Sequence, residues 1–270
     1  MGTILLNENT INTTKPLTIA IISIFPEIFH AITNYGITKK AIQKEIIKIN
    51  IVNPRNYTNN KYRNIDDRPY GGGSGMLMAA QPLKLAIEYA KSILGYNTKT
   101  FYLSPKGTKL NQKKILILSK MKCFILLCGR YKGIDERLIR NKIIDEEISI
   151  GDYILSGGEL PAMVLIDALC RFIPGSLGKE QSRKDDSFYN GLLECPYYTR
   201  PKVFDNVKVP NILLSGNHKK IKIWRLKQSL GQTWMKRPDL LNKIILTKEE
   251  NDLLEQFKKE TVKLKDNKTT

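Results

Sequence analysis

Along the first two thirds of the chain, short apolar bursts alternate with amphipathic stretches. The run LTIAIISIF (17–25) predicts a buried strand, and Pro26 suits the first turn of a helix over PEIFHAITNYG. EIIKINIVN (45–53), KTFYLS (99–104), CFILLC (123–128) and a short stretch near EISI predict further strands. Pro105-Lys106-Gly107 reads as the turn that ends the strand at 99–104. Between the strands, Leu83, Ala86, Ile87 and Ala90 recur at helical spacing in QPLKLAIEYAKSIL. Helices are also expected near LNQKKILILSK, over GIDERLIR and over ELPAMVLIDALCRFI. The last of these is expected to turn Leu160, Met163, Val164 and Ala168 towards the core. Alternating strands and helices predict an α/β domain with a mainly parallel sheet. The polar, Gly-rich segment 54–75 is longer than ordinary connections, which marks it as functional or disordered.

Past Pro174-Gly175 the pattern changes. Residues 176–198 are polar and loop-like, with QSRKDDSF at their centre. From about 199 a helical module is expected. HKKIKIWRLKQSL offers Ile221, Trp224 and Leu226 for burial, and RPDLLNKI and KEENDLLEQFKKETVKL give two more helices. Thr247 and Glu250 stand at capping-box spacing before the last one. The expected organisation is an extension at 1–16, an α/β domain at 17–176, a flexible linker at 177–198 and a helical C-terminal domain at 199–270.

Composition sharpens this picture in one respect. The chain has 270 residues, 41% of them hydrophobic, enough for a real core. Lys and Arg number 44 against 26 Asp and Glu, a net charge of +18, which points to a polyanionic partner. From Asn206 to Pro238 there is no acidic residue, while Lys208, Lys219, Lys220, Lys222, Arg225, Lys227, Lys236 and Arg237 all fall there. A general lysine bias does not clear the acids from one stretch; phosphate contact requires such a patch. Cys123, Cys128, Cys170 and Cys195 show no zinc spacing, and the three of them that sit in apolar runs are expected as reduced core residues. No membrane-length run and no secretory signal is present, so a soluble cytoplasmic protein without membrane partners is expected.

In parallel sheets, ligands sit beyond the carboxyl ends of the strands. Three loops leave strand ends in that way: SPKG (104–107), CGRYKG (128–133) and SIGDYILSGG (149–158). Their glycines open backbone N–H and C=O groups to a ligand. Gly157-Gly158 is followed by no GK[ST], so the loop is not a phosphate-binding P-loop.

SIFPEIF, DDRPYGGGSGMLM, YLSPKG, CGRYKGIDER, SIGDYILSGGELPAM, RFIPG, DSFYNGLLECPYYTRP and LLSGNHKKIKIWRLKQSL occur in this order. Together they resemble the bacterial tRNA (guanine-37-N1) methyltransferases, the TrmD family of the SPOUT class, over nearly the whole chain. The resemblance implies an α/β fold with a SPOUT-type parallel sheet and a deep trefoil knot, plus a small helical C-terminal domain. It also implies transfer of a methyl group from S-adenosyl-L-methionine to N1 of guanine-37, next to the anticodon and preceded by guanine at 36. The enzyme would be a homodimer with active sites at the interface. Tyr102, Leu103, Ser104, Pro105, Gly129, Tyr131, Ser149, Ile150, Gly151, Tyr153, Leu155, Gly157, Gly158 and Pro161 would bind the cofactor. Asp186 matches the general base and Arg171 the donor to guanine O6. Arg68, Tyr70, Ser187 and Phe188 would contact the base, and Lys219, Lys220, Lys222, Arg225 and Lys227 the stem phosphates.

The chemistry asks for such residues: guanine N1 is a poor nucleophile until its proton leaves, and charge then builds on O6. This sequence departs from the family pattern in three places. Lys132 replaces the usual acid of CGRYEG, which casts doubt on a role for magnesium. Ser74 stands where proline is frequent, and Glu194 where aspartate is common. Two other readings stay open: a knotted RNA methyltransferase with another target, and a catalytically dead RNA-binding protein.

Overall fold

A computed structural model describes residues 16–176 and 186–266. The expected extension, apart from Pro16, and the 177–185 part of the expected linker lie outside the described residues. The chain divides into two compact units, 1–178 and 179–270.

The first unit runs through β1 (Leu17–Ile22), a 3-10 turn (Pro26–Phe29), α1 (His30–Thr33), α2 (Gly36–Gln43) and β2 (Ile47–Val52). A second 3-10 turn (Pro54–Tyr57) and a small hairpin, β3 (Asp66–Asp67) with β4 (Leu77–Met78), frame the Gly-rich loop. Then come α3 (Ala80–Leu94), β5 (Thr100–Lys109), α4 (Gln112–Leu118), β6 (Cys123–Cys128), α5 (Arg137–Arg140), β7 (Glu146–Ser149) and α6 (Glu159–Cys170). Five strands form one sheet in the order β2-β1-β6-β5-β7, with every pairing parallel. Both faces are covered, which is why the strands read as unbroken apolar runs. Ile19, Ile21, Phe124 and Leu126 face α2, α4 and α6. The alternate residues Ala20, Ile22, Ile125 and Leu127 pack with Leu83, Ala86, Ile87 and Ala90 of α3.

Several expectations are corrected. The first strand stops at Ile22, because Phe25 is exposed beyond the sheet. Pro105-Lys106-Gly107 does not end β5: the strand continues to Lys109, and Ser104–Gly107 bulge out between Leu103 and Thr108, which both pair with Ile148. Only Arg137–Arg140 of GIDERLIR is helical; Asp135 accepts from the backbone N–H of Arg137 at 2.9 Å and starts the turn. In α6 the core face is Ala162, Leu165, Ile166, Leu169 and Cys170, with Met163 at its edge. Leu160 and Val164 are about half exposed, at 50% and 49%.

In the second unit, β8 (Val203–Phe204) and β9 (Val207–Lys208) make a hairpin that hydrophobic patterning does not reveal. α7 (Asn211–Leu214), α8 (His218–Lys236), α9 (Pro238–Leu241) and α10 (Lys248–Asp266) follow. Leu230, Leu253 and Leu254 form the core between α8 and α10, with Leu192, Leu226, Leu241 and Leu246 around them. At Gly231 a Cβ would stand 2.4 Å from the Phe257 ring, so the glycine lets the two helices close. The Asn217 side chain caps α8 by accepting from Lys220 N–H at 3.1 Å. Thr247 and Glu250 form the expected reciprocal box, with backbone N–H to side-chain bonds of 2.8 and 3.2 Å. The 186–198 segment belongs to this unit: Leu193 N–H bonds to Thr233 Oγ1 at 2.8 Å, and Cys195 is buried. All four cysteines are free.

Candidate functional site

The ends of β5, β6 and β7 enclose a cavity of about 300 Å³. Every residue assigned to the cofactor lines it: Tyr102, Leu103, Ser104 and Pro105 from β5; Gly129 and Tyr131 after β6; Ser149 at the end of β7; Ile150, Gly151, Tyr153, Leu155, Gly157 and Gly158 after it; and Pro161 in α6. Arg130, Lys132, Gly133, Ile148, Ile154 and Ser156 line it as well.

Glycine makes this convergence sterically possible. A Cβ on Gly158 would lie 2.7 Å from Cys128 Cα, and one on Gly107 would lie 2.3 Å from the Glu147 carbonyl carbon. In their absence the loops after β6 and β7 touch backbone to backbone. Gly158 N–H donates to Gly129 C=O at 2.8 Å, and Arg130 and Gly157 form an antiparallel bridge. Further along, Ser149 Oγ accepts from Gly151 N–H at 3.2 Å and donates to its carbonyl at 3.1 Å, fixing the turn out of β7. Such a cradle suits a flat heterocycle read by backbone donors and acceptors.

Tyr102 underlies the loop after β6. Burial, followed by the nearby Glu147 carboxylate, pushes its phenol up to about 12. Tyr131, whose φ is 59°, has a phenol raised first by burial and next by Asp66. The bonds Lys132 N–H to Met76 C=O and Met78 N–H to Gly133 C=O, both 2.9 Å, hold the C-terminal end of the Gly-rich loop beside the cavity.

A buried polar network behind the cavity has no signature in the sequence. The carboxylate of Glu159 is 1% exposed, accepts from Arg130 Nε at 2.9 Å, and accepts from Ser23 Oγ at 2.9 Å. Its members are 29 and 136 residues apart, so no local spacing links them.

Other assigned residues are not brought to this cavity. Arg68 and Tyr70 sit on the Gly-rich loop outside its lining, and Tyr70 is fully exposed. Arg171 caps the C-terminus of α6 in the first unit, whereas Asp186 belongs to the second. There Asp186, Glu194, His218, Lys222 and Arg225 are among the residues lining a separate open cavity of about 770 Å³. Ser187 Oγ accepts from Glu194 N–H at 3.0 Å. Phe188 has a φ of 71° and a half-exposed ring, with the Arg237 guanidinium 5.9 Å from its centroid. Lys219 and Lys220 are exposed on α8. Lys227 departs from the expected phosphate grip: its ammonium bonds both oxygens of Glu260, at 2.7 and 2.8 Å, and its side chain is only 16% exposed. That pair ties α8 to α10.

Taken together, these features define an α/β protein with a cavity at the carboxyl ends of a parallel sheet, followed in the chain by a basic helical unit. The chain belongs to the family described as tRNA (Guanine-1)-methyltransferase TrmD, whose profile matches residues 17–243. It is 66% identical over 238 residues to the tRNA (guanine-N(1)-)-methyltransferase of Buchnera aphidicola subsp. Baizongia pistaciae, covering 88% of this chain and 95% of that protein. Against the enzymes so named from Edwardsiella ictaluri and Escherichia fergusonii, identity is 56% and 57% over 242 residues. These matches cover 90% of this chain and 95% and 94% of those proteins. No helix among the described residues is long and apolar enough to cross a membrane.

Proposed function

We infer that this chain transfers a methyl group from S-adenosyl-L-methionine to N1 of guanine in tRNA, at position 37 with guanine preceding it. The observation that carries the reading is the convergence of three glycine-bearing loops on one cavity, in a chain that matches the family from residue 17 to 243. The donor set fits the cofactor: Gly129, Gly157 and Gly158, where a Cβ would strike protein atoms at 2.7, 2.3 and 2.7 Å, let the loops after β6 and β7 pack closely enough to bring their backbone groups to the cavity. S-adenosylmethionine supplies, when bound, a methyl group made electrophilic by its positive sulfur.

The protein's own residues then have three tasks. The loops after β5, β6 and β7 hold the cofactor so that the methyl faces the incoming base. Asp186 takes the N1 proton of guanine as general base. Arg171 donates to O6 as negative charge develops there. Phe188, half exposed beside Asp186, stacks on a base drawn out of the RNA. Lys219, Lys220, Lys222 and Arg225, on a helix with no acidic residue, meet the stem phosphates.

Two copies of the chain form the working enzyme in this reading, with Asp186 of one serving the cavity of the other. The exposed apolar Leu160 and Val164 on α6 support a second copy there. A knotted path is the family expectation for the β6 and β7 loops, and their backbone contact at Gly129 and Gly158 supports it. The residues lining the cavity do not fit a bound magnesium ion: Lys132 is a cation, and among the described residues no carboxylate lines the space. No step is therefore assigned to a metal.

The test is transfer of labelled methyl to tRNA carrying guanines at 36 and 37, with the product identified as N1-methylguanosine. Asp186→Asn should abolish most turnover. Turnover like the wild type in that variant removes the base assignment, and a labelled nucleoside other than N1-methylguanosine removes the function.

A further inference from the structure

We propose that Glu159 is a positioning residue that shapes the cofactor cavity by holding Arg130 across Gly157. The inference rests on the cavity taking S-adenosylmethionine.

Ion pairs such as Lys84–Glu88 and Lys109–Asp152 in the first unit are largely exposed. The Arg130–Glu159 pair is enclosed, with side chains 21% and 1% exposed. A buried carboxylate is costly unless it is paired and its remaining lone pairs are satisfied, and well-packed apolar residues often do as well for stability. The arrangement here satisfies that demand by drawing on three separate strand exits. From the end of β1, Ser23 Oγ donates to Glu159 Oε1 at 2.9 Å while accepting from Phe25 N–H at 3.1 Å. From the loop after β6, Arg130 donates through Nε to Glu159 Oε2 at 2.9 Å. Towards the loop after β7, Arg130 donates to Ser156 C=O at 3.3 Å. Its guanidinium lies 4.7 Å from the Phe25 ring centroid, a stacking position that holds the plane of the fork.

Gly157 is part of the same device. A Cβ there would stand 2.3 Å from Arg130 Nε, 2.6 Å from Arg130 Cδ and 2.6 Å from Glu159 Oε2. Its φ is not in the left-handed region, so the requirement is for space rather than for backbone freedom. The guanidinium thus passes directly over the loop that lines the cavity, and the fully buried carboxylate at the start of α6 fixes where it passes. Removing the carboxylate frees Arg130 and lets the loops at 129–133 and 150–158 part. Glu159 itself lines no part of the cavity, so it acts through Arg130.

The experiment is calorimetric titration of S-adenosylmethionine into the full chain, with a thermal melt for every variant. Glu159→Ala is expected to weaken binding roughly tenfold to a hundredfold at temperatures where the protein is folded. Glu159→Gln, which keeps an acceptor in place, should recover most of it. Arg130→Ala combined with Glu159→Ala should bind no worse than the weaker single variant, because both remove one coupled unit. Ser23→Ala keeps both charges and gives a milder reading if Glu159→Ala does not fold, with binding weakened roughly two- to tenfold. Lowered melting temperatures with unchanged affinity in the folded variants would show a purely stabilising pair and overturn the proposal. Wild-type protein that binds no S-adenosylmethionine would remove the cofactor reading itself, and the positioning role with it.

Discussion

Gly129 lies directly against Tyr102: a Cβ on the glycine would stand 2.7 Å from the ring edge and 2.8 Å from the phenol oxygen. The floor of the cavity and the loop above it therefore share one packing surface. Gly129→Ala must displace either the buried ring or the loop backbone, and about 1–3 kcal/mol of stability should be lost. Urea denaturation measures the first effect and cofactor titration the accompanying loss of affinity. Unchanged values in both would mean that the loop has room to move.

Tyr102 also gives a signature at high pH. Its phenol is raised to about 12, chiefly by burial. The folded state therefore keeps a proton that the unfolded chain releases near pH 10. Stability from this residue is full below pH 10 and is lost as the pH rises through 12, on the order of 2–3 kcal/mol. Urea melts between pH 9 and 12 should show a steeper decline in the wild type than in Tyr102→Phe. Parallel declines would place the phenol in water.

Lys222 and Lys227 should behave differently although they lie on one helix. Lys222 borders the open cavity of the second unit, whereas Lys227 is engaged by Glu260. If Lys222 meets RNA phosphate, Lys222→Ala should reduce the slope of log affinity against log salt by about 0.7–0.9. Lys227→Ala should leave that slope unchanged and cost about 0–1 kcal/mol of stability. Filter binding of tRNA across a salt series, with thermal melts, separates the two.

Thr247→Ala removes one side of the capping box at α10 and should cost about 1 kcal/mol. Chemical denaturation of the full chain reads this directly. A variant as stable as the wild type would show that helix packing through Leu253 and Leu254 alone sets the start of α10.

The sheet was legible because its strands are buried on both faces and so carry no competing helical period, as CFILLC shows by matching β6 end to end. α6 was misread for a related reason. Apolar on nearly every side, it offers no single stripe, and Leu160 and Val164 could not be told from Leu165 and Ile166 by pattern alone. The cavity-lining loops were visible through their glycines and their family resemblance. Behind them, the Ser23–Glu159–Arg130 network was hidden because contacts across 136 residues leave no local trace. Charge counting marked Lys227 as a phosphate ligand, since composition does not reveal that Glu260 stands opposite on α10.

The excursion at Ser104–Gly107 leaves and rejoins β5 at residues that share one partner, Ile148. One wall of the cavity is thereby hung from a single rung of the ladder. Because β5 and β7 resume pairing at Lys109 and Ser149, the four-residue excursion shapes that wall while the sheet on either side stays unbroken.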